Sequence, residues 1–318
     1  MNSPKFLDRK PGLALIAGPT ASGKSDLAVG LAKALENHGK RGVVINADSA
    51  QVYADLEVVS ARPSPEDMQG VEHTLFGTWD GANACSAADW AEAAKREIAK
   101  CHDQDAMPIL CGGTGLYLRT LIEGIAPVPE IDPDIRKTIR SLPVAEAYAA
   151  LRSEDPDRAA VLDPADSQRI SRALEVRRST GRTLAEWQAE KTGGIAGDVE
   201  LHPAILLPPR AWLYERCDRR FVQMMEEGAV GEVEALLARN LDPALPVMRA
   251  IGVREIARYI QGHLSRDEAI VAGQAATRQY AKRQFTWFRR QPPTEWPRVE
   301  SESFSSRDIF VSIFPQSS

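Results

Sequence analysis

Leu13 to Gly18 (LALIAG) is an unbroken apolar run that ends at glycine. A run that short predicts a strand buried on both faces rather than a helix. From Ser25 to Asn37 (SDLAVGLAKALEN) the apolar residues return at helical spacing. Arg41 to Asp48 (RGVVINAD) predicts a second buried strand with Asp48 at its C-terminal end, and Met107 to Gly115 (MPILCGGTG) a third that runs into glycines. Ser86 to Lys100 (SAADWAEAAKREIAK) predicts a helix, with Ser86 as N-cap and Asp89 at the third position after it. Strands that alternate with helices predict a parallel, doubly wound sheet, an α/β fold. Ligands of such sheets sit at the carboxyl ends of the strands, where Gly18, Asp48 and Gly112 all fall.

After Gly124 the pattern changes. APVPEIDPDIR is a proline-rich linker, and Asp132 to Lys191 is helical and strand-poor. GGIAGD follows as a loop, and Ala204 to Pro209 (AILLPP) as a returning strand. The organisation expected is a core from residues 1–125 and 200–318, interrupted by an all-helical subdomain over 126–199. Helical stretches at Arg210 to Arg239, Gly252 to Gln261 and Arg266 to Arg290 form a helical C-terminal region. The residues after Pro292 are polar and serine-bearing and are expected to be peripheral.

Composition narrows the class. In 318 residues, a hydrophobic share of 43 % with 26 % charged is that of a soluble chain with a real core. No apolar run approaches a membrane span, so no membrane partner is expected. The opening MNSPKFLDRKPG has no apolar h-region, which predicts no signal peptide. Cys85, Cys101, Cys111 and Cys217 form no CxxC pair, which fits a reducing cytoplasm. Net charge is −5, which argues against nucleic acid until its distribution is read. Gln168 to Arg182 carries Arg169, Arg172, Arg177, Arg178 and Arg182 against Glu175 alone, and Arg249 to Arg290 is also arginine-rich. Such islands in an acidic chain mark either a polyanion partner or solvated helix faces. No coiled-coil heptads are present, and a monomer is expected.

Gly18-Pro19-Thr20-Ala21-Ser22-Gly23-Lys24-Ser25 fits G-x-x-x-x-G-K-[ST] in the required strand–loop–helix setting. The glycines let backbone N–H groups turn toward an anion, and the helix N-terminus adds a partial positive charge. Lys24 would contact phosphate oxygens and Ser25 would hold Mg²⁺. What the loop binds stays open at this level. Asp48 fits a kinase, as the metal-binding aspartate, and it equally fits a general base beside a diphosphate leaving group.

The ordered segments GPTASGKS, Asp48 to Tyr53 (DSAQVY), SAADW, Gly112 to Leu118 (GGTGLYL), Asp166 to Val176 (DSQRISRALEV), Arg249 to Glu255 (RAIGVRE) and Thr277 to Arg289 (TRQYAKRQFTWFR) together resemble the tRNA dimethylallyltransferase family. The resemblance runs from about Leu13 to Arg289. It implies that the loop holds dimethylallyl diphosphate, and that the five-carbon group passes to N6 of the adenosine immediately 3′ of the anticodon. It implies Asp48 as general base. The loop with Lys24, Mg²⁺ near Ser25, and Arg220 would stabilise the diphosphate, with Arg216 as runner-up for the arginine. Contacts to the tRNA anticodon stem-loop are implied for Asp48, Ser49, Ala50, Gln51, Thr114, Arg136, Gln168, Arg169, Ile170, Ser171, Arg172, Arg249, Ala250, Ile251, Gly252, Val253 and Arg254. Two departures stand out. Ser60 to Pro63 reads SARP where the family usually has TAKP, which keeps the charge, and Val253 stands where tyrosine is common. The family's eukaryotic zinc-finger extension is not found, which points to a bacterial type.

Three other readings compete with this one. A small-molecule kinase would need a base pocket and a lid. An isopentenyltransferase acting on free adenine nucleotide would have no use for the basic islands. A non-catalytic RNA-binding module would leave the phosphate loop and Asp48 unexplained.

Overall fold

A computed structural model describes residues 10–314. The readings made on MNSPKFLDR and on the last four residues lie outside the described residues. The chain divides into two compact units, one made of the residues up to Leu121 and those from Ala196 onward, the other of Ile122–Ile195.

In chain order the elements begin β1 (Gly12–Ala17), α1 (Lys24–Glu36), β2 (Gly42–Asn46), α2 (Pro65–Met68), β3 (Glu72–Thr74), α3 (Ala87–Asp103), β4 (Met107–Gly112) and α4 (Gly115–Glu123). Five helices follow: α5 (Pro133–Ser141), α6 (Val144–Glu154), α7 (Pro156–Val161), α8 (Ser167–Thr180) and α9 (Leu184–Gln188). The chain then continues through β5 (Glu200–Leu206), α10 (Arg210–Glu226), α11 (Ala229–Ala238), α12 (Val253–Ile260), α13 (Arg266–Arg290), β6 (Arg298–Val299) and α14 (Ser306–Ile309).

The first unit is built on one sheet in the order β3-β2-β4-β1-β5-β6, with every pairing parallel. β1 lies inside it and is buried from Leu13 to Ala17, which explains its continuous apolar sequence. The expected helix over Ser86–Lys100 is α3, and its Ser86–Asp89 pair forms a reciprocal capping box. The same device, Ser265 with Glu268, starts the 25-residue α13. The stretch expected over Arg210–Arg239 is two helices, because Gly228 takes a left-handed φ of 112° and closes α10 before α11 opens. Asp48 stands two residues beyond β2, not within it.

The expectation of a peripheral tail is corrected. Arg298 and Val299 extend the sheet beside Ile205 and Leu206. Phe310 is 1 % exposed and joins the core between α1 and the sheet, with Phe304, Ile309, Ile313 and Phe314 packed against it. Serines and charges dilute the tail sequence, so its few large apolar residues give no periodic signal.

The second unit has its own core of Ile139, Ala147, Leu151, Ala159, Ile170, Ala173 and Leu174. Ile125 and Thr192 exchange backbone hydrogen bonds of 3.0 Å and tie its two ends together. No described helix is long and apolar enough to cross a membrane.

Phe310→Ala is expected to destabilise the first unit by about 3–5 kcal/mol, the usual range for truncating a buried aromatic. Urea unfolding followed by tryptophan fluorescence reads this as a lowered midpoint.

Candidate active site

The segment Gly18–Ser25 is the turn from β1 into α1. Ala21 is held at a φ of 61°, and α1 has no side-chain cap at Gly23, so its first-turn N–H groups are left to an anion. The Ser22 hydroxyl is fully buried and finds no hydrogen-bond partner. A buried unsatisfied hydroxyl is costly unless a ligand completes it. Lys24 Nζ donates to Pro19 O at 2.6 Å. Burial holds its ammonium below the usual lysine range, the Arg220 charge pushes the same way, and Cys111 and Asp48 oppose them.

The loop opens into a cleft of about 740 Å³ that is also lined by Arg62, Arg216, Arg219 and Arg220. Arg216 lies over the Trp212 ring, 4.6 Å from its centroid, and its Nε donates to Ala21 O at 2.9 Å. Arg220, one turn along α10, donates to Ala61 O at 3.3 Å. Burial lowers the Arg220 proton affinity as well, so two of the cleft's cations are held in a partly desolvated setting. An anion placed between them meets less screening than it would in water.

A second chamber of about 230 Å³ adjoins this cleft, and its lining is largely apolar and aromatic, with Tyr53, Val59, Tyr117, Phe221, Ile251 and Tyr280. Thr20, Asp48, Ser60, Ala61, Arg220 and Met224 line both spaces. The cleft's lining also holds Asp26, Glu57, Glu66, Asp67 and Glu227, so Asp48 stands at the junction of a charged cleft and an apolar chamber. It is the one carboxylate among the described residues that line the chamber. The chamber's other acids are neutral. Burial raises the Tyr53, Tyr117 and Tyr280 hydroxyls and the Cys85 thiol, and pushes the Cys217 thiol up to about 11.

Asp48 is positioned by its backbone. Asn46 is fully buried; its Oδ1 accepts from Asp48 N at 2.9 Å, and its Nδ2 donates to Asp48 O at 3.0 Å and Leu75 O at 3.1 Å. Asp48 Oδ1 accepts from Ala50 N at 3.0 Å, and Ser49 N donates to Thr114 Oγ1 at 2.9 Å. A Cβ at Gly112 would lie 2.1 Å from the Ala47 carbonyl, so only glycine lets the ends of β2 and β4 approach this closely.

The loop after Asp48 is pinned from two directions. Gln51 Nε2 donates to Ser60 O at 3.1 Å and to Ala61 O at 2.8 Å, which commits that side chain to holding the loop. From α11, the Glu232 carboxylate accepts from the N–H groups of Glu57, Val58 (3.0 Å) and Val59 (2.8 Å). Arg62, the residue that keeps the charge of the SARP segment, pairs with Glu57 at 2.6 Å.

Of the remaining predicted residues, Ala250 and Ile251 line the chamber together with the exposed Arg249. Gly252 caps α12, and its N–H donates to Glu255 Oε2 at 3.1 Å. Arg254 is exposed, whereas the Val253 side chain is buried and fastens α12 to the core. Within the second unit, Ile170 is likewise a core residue, Gln168 and Arg169 are exposed, and Ser171 is half-buried. Arg169 pairs with Asp166. Glu175, 1 % exposed, gathers Arg136 at 3.9 Å, Arg140 at 2.8 Å and Arg172 at 3.9 Å. Three guanidinium groups around one carboxylate leave an excess of positive charge, most of it exposed.

Sequence reasoning missed Asn46, Glu232, Tyr280 and Gln284. For Gln284 a signal existed: Ala281, Gln284, Phe285 and Phe288 share one buried helix face, and a glutamine in such a stripe calls for partners. Among the described residues no three His, Cys, Asp or Glu side chains gather as a metal site. The hydroxyl of Ser25 beside an anion cleft suits an ion that keeps waters and is held mainly by substrate phosphates, as Mg²⁺ is.

A family model described as IPP transferase matches residues 51–291. The tRNA dimethylallyltransferase of Erythrobacter litoralis (strain HTCC2594) is 64 % identical over 312 residues, which is 98 % of this chain and 98 % of that protein. The protein of the same name from Sphingopyxis alaskensis is 64 % identical over 297 residues, 93 % of this chain and 96 % of its own. Among solved structures, the full-length tRNA isopentenylpyrophosphate transferase of Bacillus halodurans superposes with a TM-score of 0.68 at 32 % identity, covering 95 % of this chain and 94 % of that one. A eukaryotic dimethylallyltransferase acting on tRNA gives a TM-score of 0.73 at 27 % identity, covering 87 % of this chain and 69 % of that one.

Glu232→Ala is expected to loosen the loop over residues 57–59. Losing a carboxylate that accepts from three backbone N–H groups costs about 1.5–3 kcal/mol locally. Hydrogen exchange should then show the Val58 and Val59 amides opening roughly 10- to 100-fold more often.

Proposed function

The chain belongs to the IPP transferase family and is a tRNA-prenylating transferase, and we propose that it carries the group from dimethylallyl diphosphate to N6 of the adenosine immediately 3′ of the anticodon. The observation that supports this course is the position of Asp48, where the cleft of the phosphate loop, with Lys24 and Arg220, meets the apolar chamber.

The diphosphate occupies the cleft, on the N–H groups of the loop and first turn of α1, the Ser22 hydroxyl, Lys24 and Arg220. The dimethylallyl group lies toward the junction, and the flipped adenine enters the chamber, whose tyrosines and aliphatic side chains suit a flat apolar ring. An adenine amino group is a weak nucleophile, because its lone pair is delocalised into the ring. As N6 forms its bond to the allylic carbon, the carbon–oxygen bond to diphosphate breaks. The bonding pair leaves with the diphosphate, and Asp48 accepts the N6 proton. A positioned carboxylate contributes typically 10²–10⁴-fold to such a step. The cations of the cleft stabilise the charge that develops on the leaving group.

Mg²⁺ would be held by Ser25 and the diphosphate oxygens, and when bound it supplies further neutralisation of the leaving group. In the first unit Arg249 and Arg254 are the contacts to the tRNA anticodon stem-loop; in the second unit, taken by itself, Arg136, Gln168, Arg169 and Arg172 are RNA contacts. Guanidinium groups pair with phosphates bidentately and stack on splayed bases. The enzyme works as a monomer, and in the cytoplasm; the second of these is supported by four cysteines that are all free and buried.

Purified protein incubated with Mg²⁺, labelled dimethylallyl diphosphate and either unmodified tRNA or AMP is expected to label one adenosine of the tRNA alone. Label on AMP, or turnover of ATP with no label transferred, would overturn the reading. Asp48→Asn is expected to lower kcat by about 10²–10⁴-fold with tRNA affinity unchanged. Lys24→Ala should abolish transfer. Arg249→Ala is expected to weaken tRNA binding and flatten its salt dependence while dimethylallyl diphosphate binding stays as it was. Filter binding at several salt concentrations measures this last effect.

A further inference from the structure

Gln284 lines neither the cleft nor the chamber, yet it joins the two loops that build them. It is 6 % exposed on the buried face of α13. Its Oε1 accepts from Thr20 N in the phosphate loop at 2.8 Å, and its Nε2 donates to Gly113 O at 2.8 Å. A Cβ at position 113 would lie 2.4 Å from that Nε2, so the second bond requires glycine there. The next residue carries the link onward. Thr114 N donates to Ala47 O at 3.1 Å, and Thr114 Oγ1 accepts from Ser49 N at 2.9 Å. A continuous hydrogen-bonded path therefore runs from the phosphate loop through one buried amide to the residues on either side of Asp48.

We propose that Gln284 is a positioning residue for the prenyl transfer, setting the distance between the diphosphate cradle and the Asp48 carboxylate. The proposal rests on the reading given under Proposed function. A neutral amide is suited to the position, because it offers a donor and an acceptor together without placing a charge in the core. Its bond to Thr20 also withdraws that N–H from the anion, so it selects which loop donors remain for the diphosphate. In-line displacement is sensitive to such spacing, and a misplacement of about 1 Å costs on the order of 10²-fold in rate.

Two near-isosteric variants and a partner variant test it. Gln284→Met keeps length and burial but neither bond. Gln284→Glu keeps the acceptor for Thr20, and as a carboxylate sets an oxygen against the Gly113 carbonyl. Both are expected to lower kcat per folded molecule by roughly 10²-fold. The KM for tRNA should stay within about twofold of wild type, since the arginines that hold the RNA, Arg249 and Arg254 among them, are untouched. Gly113→Ala, which drives a methyl into the amide, should produce the same loss alone and little further loss in the Gln284→Met background, the non-additivity of two residues serving one contact. If Gln284→Met fails to fold, Gln284→Glu and Gly113→Ala carry the measurement. A kcat within about twofold of wild type in the folded variants, even with a lowered melting temperature, would overturn the proposal and leave Gln284 a packing residue. Wild-type protein that transfers no prenyl group in the same assay would instead overturn the underlying reading, and the proposal with it.

Discussion

The backbone contact between Ala47 and Gly112 is the constraint on which the rest of the site depends. Ala47 N donates to Cys111 O at 2.9 Å, and Ala47 O accepts from Thr114 N at 3.1 Å, so the chain leaving β2 is laced to the chain leaving β4. Parallel neighbours normally diverge into separate loops at their carboxyl ends. Here the approach is so close that no side chain fits at position 112. The result is a shelf on which Asp48 stands beside the turn that leaves β1. β4 lies between β1 and β2 in the sheet, so this shelf spans the strand that would otherwise separate the aspartate from the phosphate loop.

Much of this was legible from the chain, and the reasons differ from element to element. The phosphate loop was readable because its chemistry is local. Glycines, a lysine and a serine within eight positions determine both the backbone path and the ligand class. The helix start at Ser86 was readable because a capping box is also local. What stayed hidden depends on contacts between residues distant in sequence. Glu232 caps three N–H groups more than 170 positions earlier, and Gln284 reaches Thr20 from 264 positions away. No spacing rule announces such a pair. The tail was misread for another reason: Phe310 has a core position without the flanking periodicity that marks core elements. Gln168 to Arg182 was foreseen as a basic island and Arg136 as a tRNA contact implied by the resemblance, but nothing local showed that Glu175, the island's one acid, is buried and gathers Arg136, Arg140 and Arg172.

The two connected spaces divide the physical work of a displacement. In the proposed reaction the cleft holds a multiply charged leaving group, and it contains two cations, Lys24 and Arg220, whose own burial lowers their hold on protons. Such cations are poorly solvated before the ligand arrives, so an anion there gains more than it would at an exposed lysine. The chamber has the opposite task. A flat, weakly nucleophilic base has to be held where water is scarce, and tyrosine rings and aliphatic side chains do this without offering a competing nucleophile.

Neutrality of the chamber's other acidic groups supports Asp48 as the proposed base. Thiols and phenols stand close enough to take part, but desolvation keeps them protonated: the Cys217 thiol is pushed to about 11, and in the cleft the Cys111 thiol to about 12. A protonated thiol can neither accept the N6 proton nor attack the allylic carbon. The same desolvation that disarms these groups strengthens every charge interaction that remains. Asp48 lies at the boundary, half-exposed and near the charges of Lys24 and Arg220, with its Oδ1 accepting from a backbone N–H. Among the described residues that line the chamber Asp48 is the one carboxylate, and it stands where the chamber meets the cleft, the place the proposed proton acceptor has to occupy.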